Sequence, residues 1–379
     1  MKIVIDENVL FGKETFSLIG EVTSVPGRLI TPGVIKDDDI LVVRSVTKVD
    51  EQLLGNSNVK FVGSATAGID HVDTEYLKSR GIGFASAPGS NSNSVAEYFT
   101  SALLLLDRKG KISLDKLSLG IVGVGHVGSK VVKKAEGLGI EVLQNDPPLK
   151  RETKDKVFRE LDELMDCDVI TLHVPLYLTG EDKTLNLFDE KRINKMKRGS
   201  VLINTSRGKV VEEFALKSAL REGHLSGAIL DVWSGEPDID REMLELVDIG
   251  TSHIAGYSYD GKVKGTRMVF DDICEFLSID KEWKVKLPPP EVPYIEVAFN
   301  ENENFAAIMS DVVFRVYDIK KDDNKLRKIL NLEGKEKKDF FDALRANYRV
   351  RREFFNTRLK LSTENENLKN NFRALGFDI

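Results

Sequence analysis

The sequence predicts an α/β protein: two doubly wound parallel-sheet domains followed by a small α+β module. Three observations carry that expectation. Short apolar runs alternate with helical patterns through about the first 280 residues, the arrangement a parallel sheet requires. The segment Gly123-Val-Gly125-His126-Val127-Gly128 falls between one such run and a helical stretch. Three consecutive prolines, Pro288 to Pro290, then impose a stiff, extended segment, and the residue pattern beyond them changes.

Composition sets the outer limits. A chain of 379 residues exceeds one ordinary core, so two or three domains are expected. Hydrophobic content of 41% and charged content of 31% describe a water-soluble globular protein. A net charge of −6 gives no electrostatic case for binding nucleic acid or an anionic membrane. Two cysteines, Cys167 and Cys274, are too few for a disulfide framework and read as buried thiols. Met1 to Asp6 reads as a strand, not as a signal peptide, and no apolar run reaches membrane-spanning length. A cytoplasmic protein is expected.

The first strand is Lys2 to Ile5, and a helix over Phe16 to Gly20 follows it. Ile40-Leu-Val-Val43 is a buried strand that delivers Arg44, Ser45 and Lys48 at its end. Val59 to Val62 delivers Ala65-Thr66-Ala67-Gly68, and Ile82 to Ala85 leads into Pro88-Gly-Ser-Asn91. Ligands of parallel sheets bind at the carboxyl ends of strands. Each of these loops alone is ordinary turn chemistry; three in succession predict a binding cleft. Ser94 to Leu106 is a long apolar helix that carries the chain into the second domain.

That domain holds the glycine segment. Its strand is Leu119 to Val122, and its helix starts at Ser129. Gly123 permits a tight turn, Gly125 lets the backbone approach a pyrophosphate, and Gly128 lets helix and strand pack closely. The helix start offers free N–H groups to phosphates. A second strand, Ile140 to Asn145, ends at Asp146, about 20 residues on, where a carboxylate can bind the adenosine ribose. Further strands at 169–172, 201–204, 228–231 and 249–252 end next to His173-Val174, Thr205-Ser206-Arg207-Gly208, Val232-Trp-Ser-Gly-Glu236-Pro237 and His253-Ile-Ala-Gly256-Tyr257. Arg207, Glu236 and His253 therefore follow strands on one edge and can converge. Of the five histidines, His253 is the one that Glu236 could pair with. No metal-ligand spacing occurs among these residues.

Past the prolines, Ile295, Val297 and Phe299 alternate as a strand. Phe305, Ile308, Met309, Val312, Val313 and Val316 repeat at helical spacing, as do Phe340, Phe341, Leu344 and Tyr348. Arg358 to Leu361 reads as a strand, and Leu368, Phe372 and Leu375 as a helix stopped at Gly376. The resulting divisions are 1–93 with 260–286, then 94–259, then 287–379.

Taken together, the glycine segment with Asp146, Asn204-Thr-Ser-Arg207-Gly208, Leu230-Asp231-Val-Trp-x-x-Glu236-Pro237 and His253-Ile-Ala-Gly256 resemble the D-isomer-specific 2-hydroxyacid dehydrogenases. The resemblance implies a Rossmann NAD-binding domain, a flavodoxin-like substrate domain and a C-terminal dimerisation domain, hence a homodimer. It implies NAD-dependent oxidation of a 2-hydroxy acid, with His253 as acid and base, Glu236 as its partner and Arg207 holding the carboxylate. It places Ser45, Thr66 and Tyr257 at the substrate. At the cofactor it places Gly123, Gly125, His126, Val127, Gly128, Asp146, Val174, Thr205, Ser206, Arg207, Asp231 and Gly256. Val174 stands where some relatives carry threonine, which leaves only backbone contacts there. Asp6-Glu-Asn8, Arg44-Ser-Val-Thr-Lys48, Ala65-Thr-Ala-Gly-x-Asp70-His-Val-Asp73, Tyr257 and the extra module resemble a branch acting on a small phosphorylated hydroxy acid. Phosphate needs cationic partners; Arg44 and Lys48 beside Ser45, or Arg351 and Arg352 reaching a partner's cleft, are the candidates. Phosphoglycerate, an unphosphorylated hydroxy acid, or a non-catalytic NAD-sensing scaffold are the alternatives.

Asp146 should accept from ribose hydroxyls and repel a 2′-phosphate, with Pro147-Pro148 offering no cationic replacement. The protein is therefore expected to prefer NAD to NADP, and Asp146→Ala to narrow the gap. An equal or higher kcat/KM with NADP in the unmodified protein would refute this.

Overall fold

A computed structural model describes residues 1–298, 304–363 and 365–379. The chain divides into two units, 1–91 with 258–288 and 92–257 with 289–379.

The first unit holds a five-stranded sheet, with β1 (Lys2–Asp6), β2 (Glu21–Val25), β3 (Ile40–Val43), β4 (Phe61–Ser64) and β5 (Gly83–Ala85) in the order β2-β1-β3-β4-β5. Every pairing is parallel. The apolar runs became strands because both faces are covered. Ile3, Ile5 and Val42 pack with Val263, Val269, Phe270 and Ile273 of the Tyr259–Phe276 helix, while Leu41, Val43 and Val62 pack with Leu53, Leu54 and Leu77. Trp283 is buried in the first of these clusters, and the Arg267 guanidinium lies 5.1 Å from its ring centroid. Two local expectations change. The helix expected over Phe16–Gly20 lies at Gly12–Phe16. β2, which the sequence reading did not include, is an edge strand whose Glu21, Thr23 and Ser24 face solvent, so it lacks an apolar run.

The second unit holds a six-stranded parallel sheet. Its strands are β6 (Ser118–Val122), β7 (Glu141–Asn145), β8 (Val169–Leu172), β9 (Val201–Asn204), β10 (Gly227–Leu230) and β11 (Ile249–Gly250). Their order is β11-β10-β9-β8-β6-β7, all parallel. The chain runs from β6 outward to β7, then returns to build β8 on the other side. That reversal makes the carboxyl end of β6 a topological switch point, where such sheets bind ligands.

The segment after the prolines adds a two-stranded parallel ribbon, β12 (Tyr294–Val297) with β13 (Arg358–Leu361), and helices Phe305–Val316, Lys320–Leu326, Gly334–Ala346 and Glu366–Leu375. Phe299, expected in the ribbon, lies outside the described residues. The helical stripes read from the sequence do not form a core of their own. Met309, Val312 and Val313 join Ala102, Leu103 and Leu106 of the Ser92–Arg108 helix, and Phe354, Phe372 and Leu375 belong to the same cluster. The Ser92–Arg108 helix is buried along almost its whole length, so its polar residues Ser94, Glu97 and Ser101 are hydrogen-bonded inside the unit.

A buried charge network joins the two parts of this unit. Arg351 is 2% exposed, and its Nη1 donates to Glu97 Oε2 at 3.2 Å. Its Nη2 bonds the Ser94 hydroxyl, and its guanidinium lies 4.2 Å from the Tyr317 ring centroid. Glu97 also accepts from Asn93 Nδ2 at 3.0 Å and from the Phe354 N–H at 2.8 Å. Burial, reinforced by the nearby Glu353, pushes the Glu97 carboxyl up to about 8. Burial lowers the Lys134 ammonium, which donates to the Leu375 carbonyl. This corrects one expectation. Arg351 is enclosed by its own chain and bonded to its own Glu97, so it is not a surface cation for a partner's cleft. Arg352 is half-buried and donates to Asn356 Oδ1 at 2.6 Å.

Removing one member of a buried pair strands the other charge, a loss of about 3–5 kcal/mol. Above about pH 8, where Glu97 is ionised, Glu97→Ala and Arg351→Ala should each lower the urea unfolding free energy by that amount. Glu97→Leu with Arg351→Met in one chain should cost less than either alanine. Alanine variants with an unchanged denaturation midpoint would show that the pair stabilises nothing.

Candidate active site

The glycine loop turns sharply off β6. Gly123 has φ +85°, a left-handed conformation that side chains rarely adopt. A Cβ on Gly128 would lie 2.0 Å from the Gly123 carbonyl, so helix and strand meet only without it. A Cβ on Gly125 would meet nothing within 4 Å, and both Gly125 and His126 are exposed. The loop thus offers open backbone beside the start of the Gly128–Gly137 helix, where N–H groups favour anions. Asp146 closes the loop from the next strand: Oδ2 accepts from the Val124 N–H at 2.8 Å, and Oδ1 caps the Pro147–Thr153 helix through the Leu149 N–H at 3.0 Å. A carboxylate has about four acceptor positions, so ribose hydroxyls can still be bound. The His173 carbonyl and the Val174 side chain crowd Gly123 from the end of β8, 2.7 and 2.8 Å from where a Cβ would stand. The residues present fit a dinucleotide.

Three neighbouring strands deliver the remaining candidates. Asn204, Leu230 and Gly250 are in register across β9, β10 and β11, so the loops of Arg207, Glu236 and His253 leave side by side. Adjacent strands lie about 4.8 Å apart, which puts the roots of the Arg207 and His253 loops within about 10 Å. Gly208 lets the first of these pass against the backbone of Trp233, 2.1 Å from where a Cβ would stand.

The 251–257 loop is fixed by Asp231. This carboxylate is 1% exposed and accepts from the Thr251 hydroxyl at 2.6 Å, the Ile254 N–H at 2.7 Å and the Ala255 N–H at 3.0 Å. Its carbonyl accepts from the His253 N–H at 2.8 Å. Tyr98 donates to Thr251 at 2.7 Å, which ties in the long buried helix. So held, His253 takes φ +57°, a sparsely populated conformation for histidine that only an over-determined loop maintains. Its Nδ1 then lies 2.6 Å from Glu236 Oε1. Burial alone would raise the Glu236 carboxyl, but the charge and hydrogen bond of His253, with help from Arg345, hold it below the usual range. An ionised Glu236 makes Nδ1 the donor and leaves Nε2 to exchange a proton with a ligand.

Thr205 and Ser206 follow β9. Ser206 is buried and its hydroxyl donates to Asn204 Oδ1 at 2.8 Å, while Thr205 bonds His173 Nδ1 at 3.2 Å. Burial drives the His173 pKa down to about 3, so its ring is a neutral bridge between Thr205 and Thr171. Arg207 Nη1 donates to the Ser206 carbonyl at 2.8 Å. Gly256 and Tyr257 end the His253 loop, and both are half-buried. In the first unit, Ser45 and Thr66 follow the paired strands β3 and β4, with Ser45 exposed and Thr66 bonded to Ser64 at 2.9 Å. Arg44, next to Ser45, is half-buried. Two participants escaped the sequence reading. His173 looked like one loop histidine among several, and Arg345 sat unnoticed inside the apolar stripe from Phe340 to Tyr348.

Comparison with known proteins agrees with this arrangement. Residues 105–255 match the family model of the D-isomer specific 2-hydroxyacid dehydrogenase NAD binding domain, and residues 287–376 match a domain of unknown function. Erythronate-4-phosphate dehydrogenases of Escherichia coli, from strains UMN026 and K12, are each 45% identical over 93% of this chain and 92% of their own. Among solved structures, the D-lactate dehydrogenase of Aquifex aeolicus, complexed with NAD and lactic acid, matches with a TM-score of 0.63 and 29% identity, covering 73% of this chain and 96% of that one. The NAD+-bound 3-phosphoglycerate dehydrogenase of Entamoeba histolytica matches with a TM-score of 0.63 and 28% identity, over 73% and 95%. Relatives that share nearly half their residues along almost the whole chain decide its kinship: it belongs to the D-isomer specific 2-hydroxyacid dehydrogenases, NAD-dependent oxidoreductases, and within them to the erythronate-4-phosphate dehydrogenases.

Proposed function

We propose that the protein oxidises 4-phospho-D-erythronate to 3-hydroxy-2-oxo-4-phosphooxybutanoate with NAD, a step in pyridoxal-phosphate biosynthesis. The observation that carries the reading is the 2.6 Å hydrogen bond between Glu236 and His253, set at the carboxyl edge of a sheet whose glycine loop fits a dinucleotide. The relatives' activity supplies the substrate.

Arg207 binds the substrate carboxylate through its planar fork, which fixes the carbon beside it. His253 Nε2 takes the proton of the 2-hydroxyl as the C–H bond breaks, and Glu236 stabilises the imidazolium that forms. Bound NAD supplies the acceptor for the hydride. In the reverse direction protonated His253 donates to the keto oxygen. The glycine segment with His126 and Val127, Asp146, the Val174 backbone, Thr205, Ser206, Asp231 and Gly256 hold the dinucleotide, while Ser45, Thr66, Tyr257 and Arg44 bind substrate. We assign the substrate domain to residues 1–93 with 260–286, the NAD domain to 94–259 and a dimerisation domain to 287–379. Tyr294, Val350 and Phe355, exposed on that last segment, support a homodimer. Cytoplasmic residence suits the reaction, and both cysteines are free thiols.

His253→Ala should lower kcat by about 10²–10⁴, the contribution of a positioned base. Near-native turnover by this variant on 4-phospho-D-erythronate would sink the assignment. Phosphoglycerate and unphosphorylated hydroxy acids, followed by NADH absorbance, are the competing substrates. The pH profile is a second check. Glu236 ionises below the usual carboxylate range, so it keeps its charge throughout the range in which histidine titrates. The acid limb of log kcat/KM should therefore have unit slope, and Glu236→Gln, which removes the charge that favours imidazolium, should move that limb to lower pH. A limb that stays in place would mean that Glu236 does not act on His253.

A further inference from the structure

The segment of unknown function brings a cation to the site that the dehydrogenase motifs do not contain. The Gly334–Ala346 helix is pinned beside the Glu236 loop: Lys337 and Lys338 reach Asp238 at 2.7 and 3.2 Å, and Phe341 is buried in the cluster that holds Trp233. Near its end the helix presents Arg345, whose guanidinium carbon lies 5.9 Å from the Tyr257 ring centroid. The guanidinium is hydrogen-bonded to Tyr257 and feels the charges of Glu236 and Asp342. Tyr348, one turn on, meets the Tyr257 ring edge-on at 5.9 Å. Glu236 gives its Oε1 to His253, and among the described residues no hydrogen bond joins Arg345 to Glu236, which acts on it through charge alone. Arg345 Nε is buried and has no hydrogen-bond partner among the described residues. Arg192, Arg349 and Arg351 also carry a buried Nε without a partner; that of Arg345 belongs to the guanidinium that adjoins Tyr257 and the charge of Glu236, where a ligand can supply the acceptor.

We infer that Arg345 is a specificity-determining residue that binds the phosphate of the substrate, with Tyr257 orienting its guanidinium. The inference rests on the proposed reading of the substrate as a phosphorylated 2-hydroxy acid. Its chemistry fits in three ways. Phosphate oxygens match the guanidinium fork, and Nε with one Nη supplies two parallel donors. The phosphate of such an acid is two carbons from the reacting carbon, and Arg345 adjoins the carboxylate partner of the residue that takes the proton. The helix reaches the site in the same chain, so no partner subunit is needed. Arg345 thereby fills the role that Arg351, enclosed beside Glu97, does not.

The test uses full-length protein, 4-phospho-D-erythronate and D-erythronate, with NAD affinity read from protein fluorescence as a folding control. The unmodified protein should strongly prefer the phosphorylated acid. Arg345→Ala should shrink that preference by about 10- to 100-fold, chiefly through KM, which corresponds to the loss of charge-assisted hydrogen bonds. Arg345→Lys, a point charge, should restore part of it. An equal fall on both substrates, with NAD affinity retained, would overturn the inference and make Arg345 a support for Tyr257 and Glu236. If the unmodified protein shows no preference for the phosphorylated acid, the substrate reading itself fails, and that result is visible before any variant is made.

Discussion

The buried carboxylate of Asp231 is the constraint on which the site depends. Taking a charge out of water costs several kcal/mol unless donors replace the lost hydration. Three donors converge on Asp231, all from the five residues after β11, and a fourth hydrogen bond runs to its carbonyl from His253. The carboxylate therefore needs that loop in one conformation, and the loop needs the carboxylate. The unfavourable backbone of His253 is held by this mutual requirement. Through Thr251 and Tyr98 the same network extends into the long buried helix, so the His253 loop is referenced to the deepest packing in the unit.

Both sheets place their first strand inside the sheet, with the second strand on one side and the third on the other. Each thereby opens a crevice at its carboxyl edge, and each edge carries candidate ligand residues: Ser45 and Thr66 in one unit, the glycine loop and His253 in the other. The architecture separates tasks. Strands buried on both faces give fixed starting points, and the loops that leave them carry the chemistry.

What the sequence revealed and what it hid follow from the range of the interactions. Ile40-Leu-Val-Val43 and Val201-Leu-Ile-Asn204 announce themselves because burial on both faces demands continuous apolar residues. The glycine loop is legible because its constraints are local. β2 is not, since an edge strand with a wet face resembles a loop. Arg351 is the clearest failure: its charge pattern matches a solvated helix end, yet its partner Glu97 lies 254 positions away. Arg345 hides for the same reason, since nothing near it in sequence mentions Tyr257 or Glu236. Long-range pairing of charge leaves no periodicity to read. The C-terminal segment shares this difficulty, because the face that its helical stripes cover belongs to residues two hundred positions earlier.

The first unit is assembled from two stretches of chain separated by residues 92–257. One face of its sheet is covered by the Tyr259–Phe276 helix, which packs on β4 and β5. During synthesis the sheet strands therefore leave the ribosome well before the helix that shields them. At 5–20 residues per second the delay is on the order of ten to thirty seconds. For that time Ile3, Ile5, Val42 and Phe61 lack the cover that residues 259–276 later provide, while the intervening nucleotide-binding sheet is still being made. The nascent N-terminal strands are in this way a natural client for a chaperone that shields apolar surface, and the unit that begins the chain is complete only once residues 258–288 have been made.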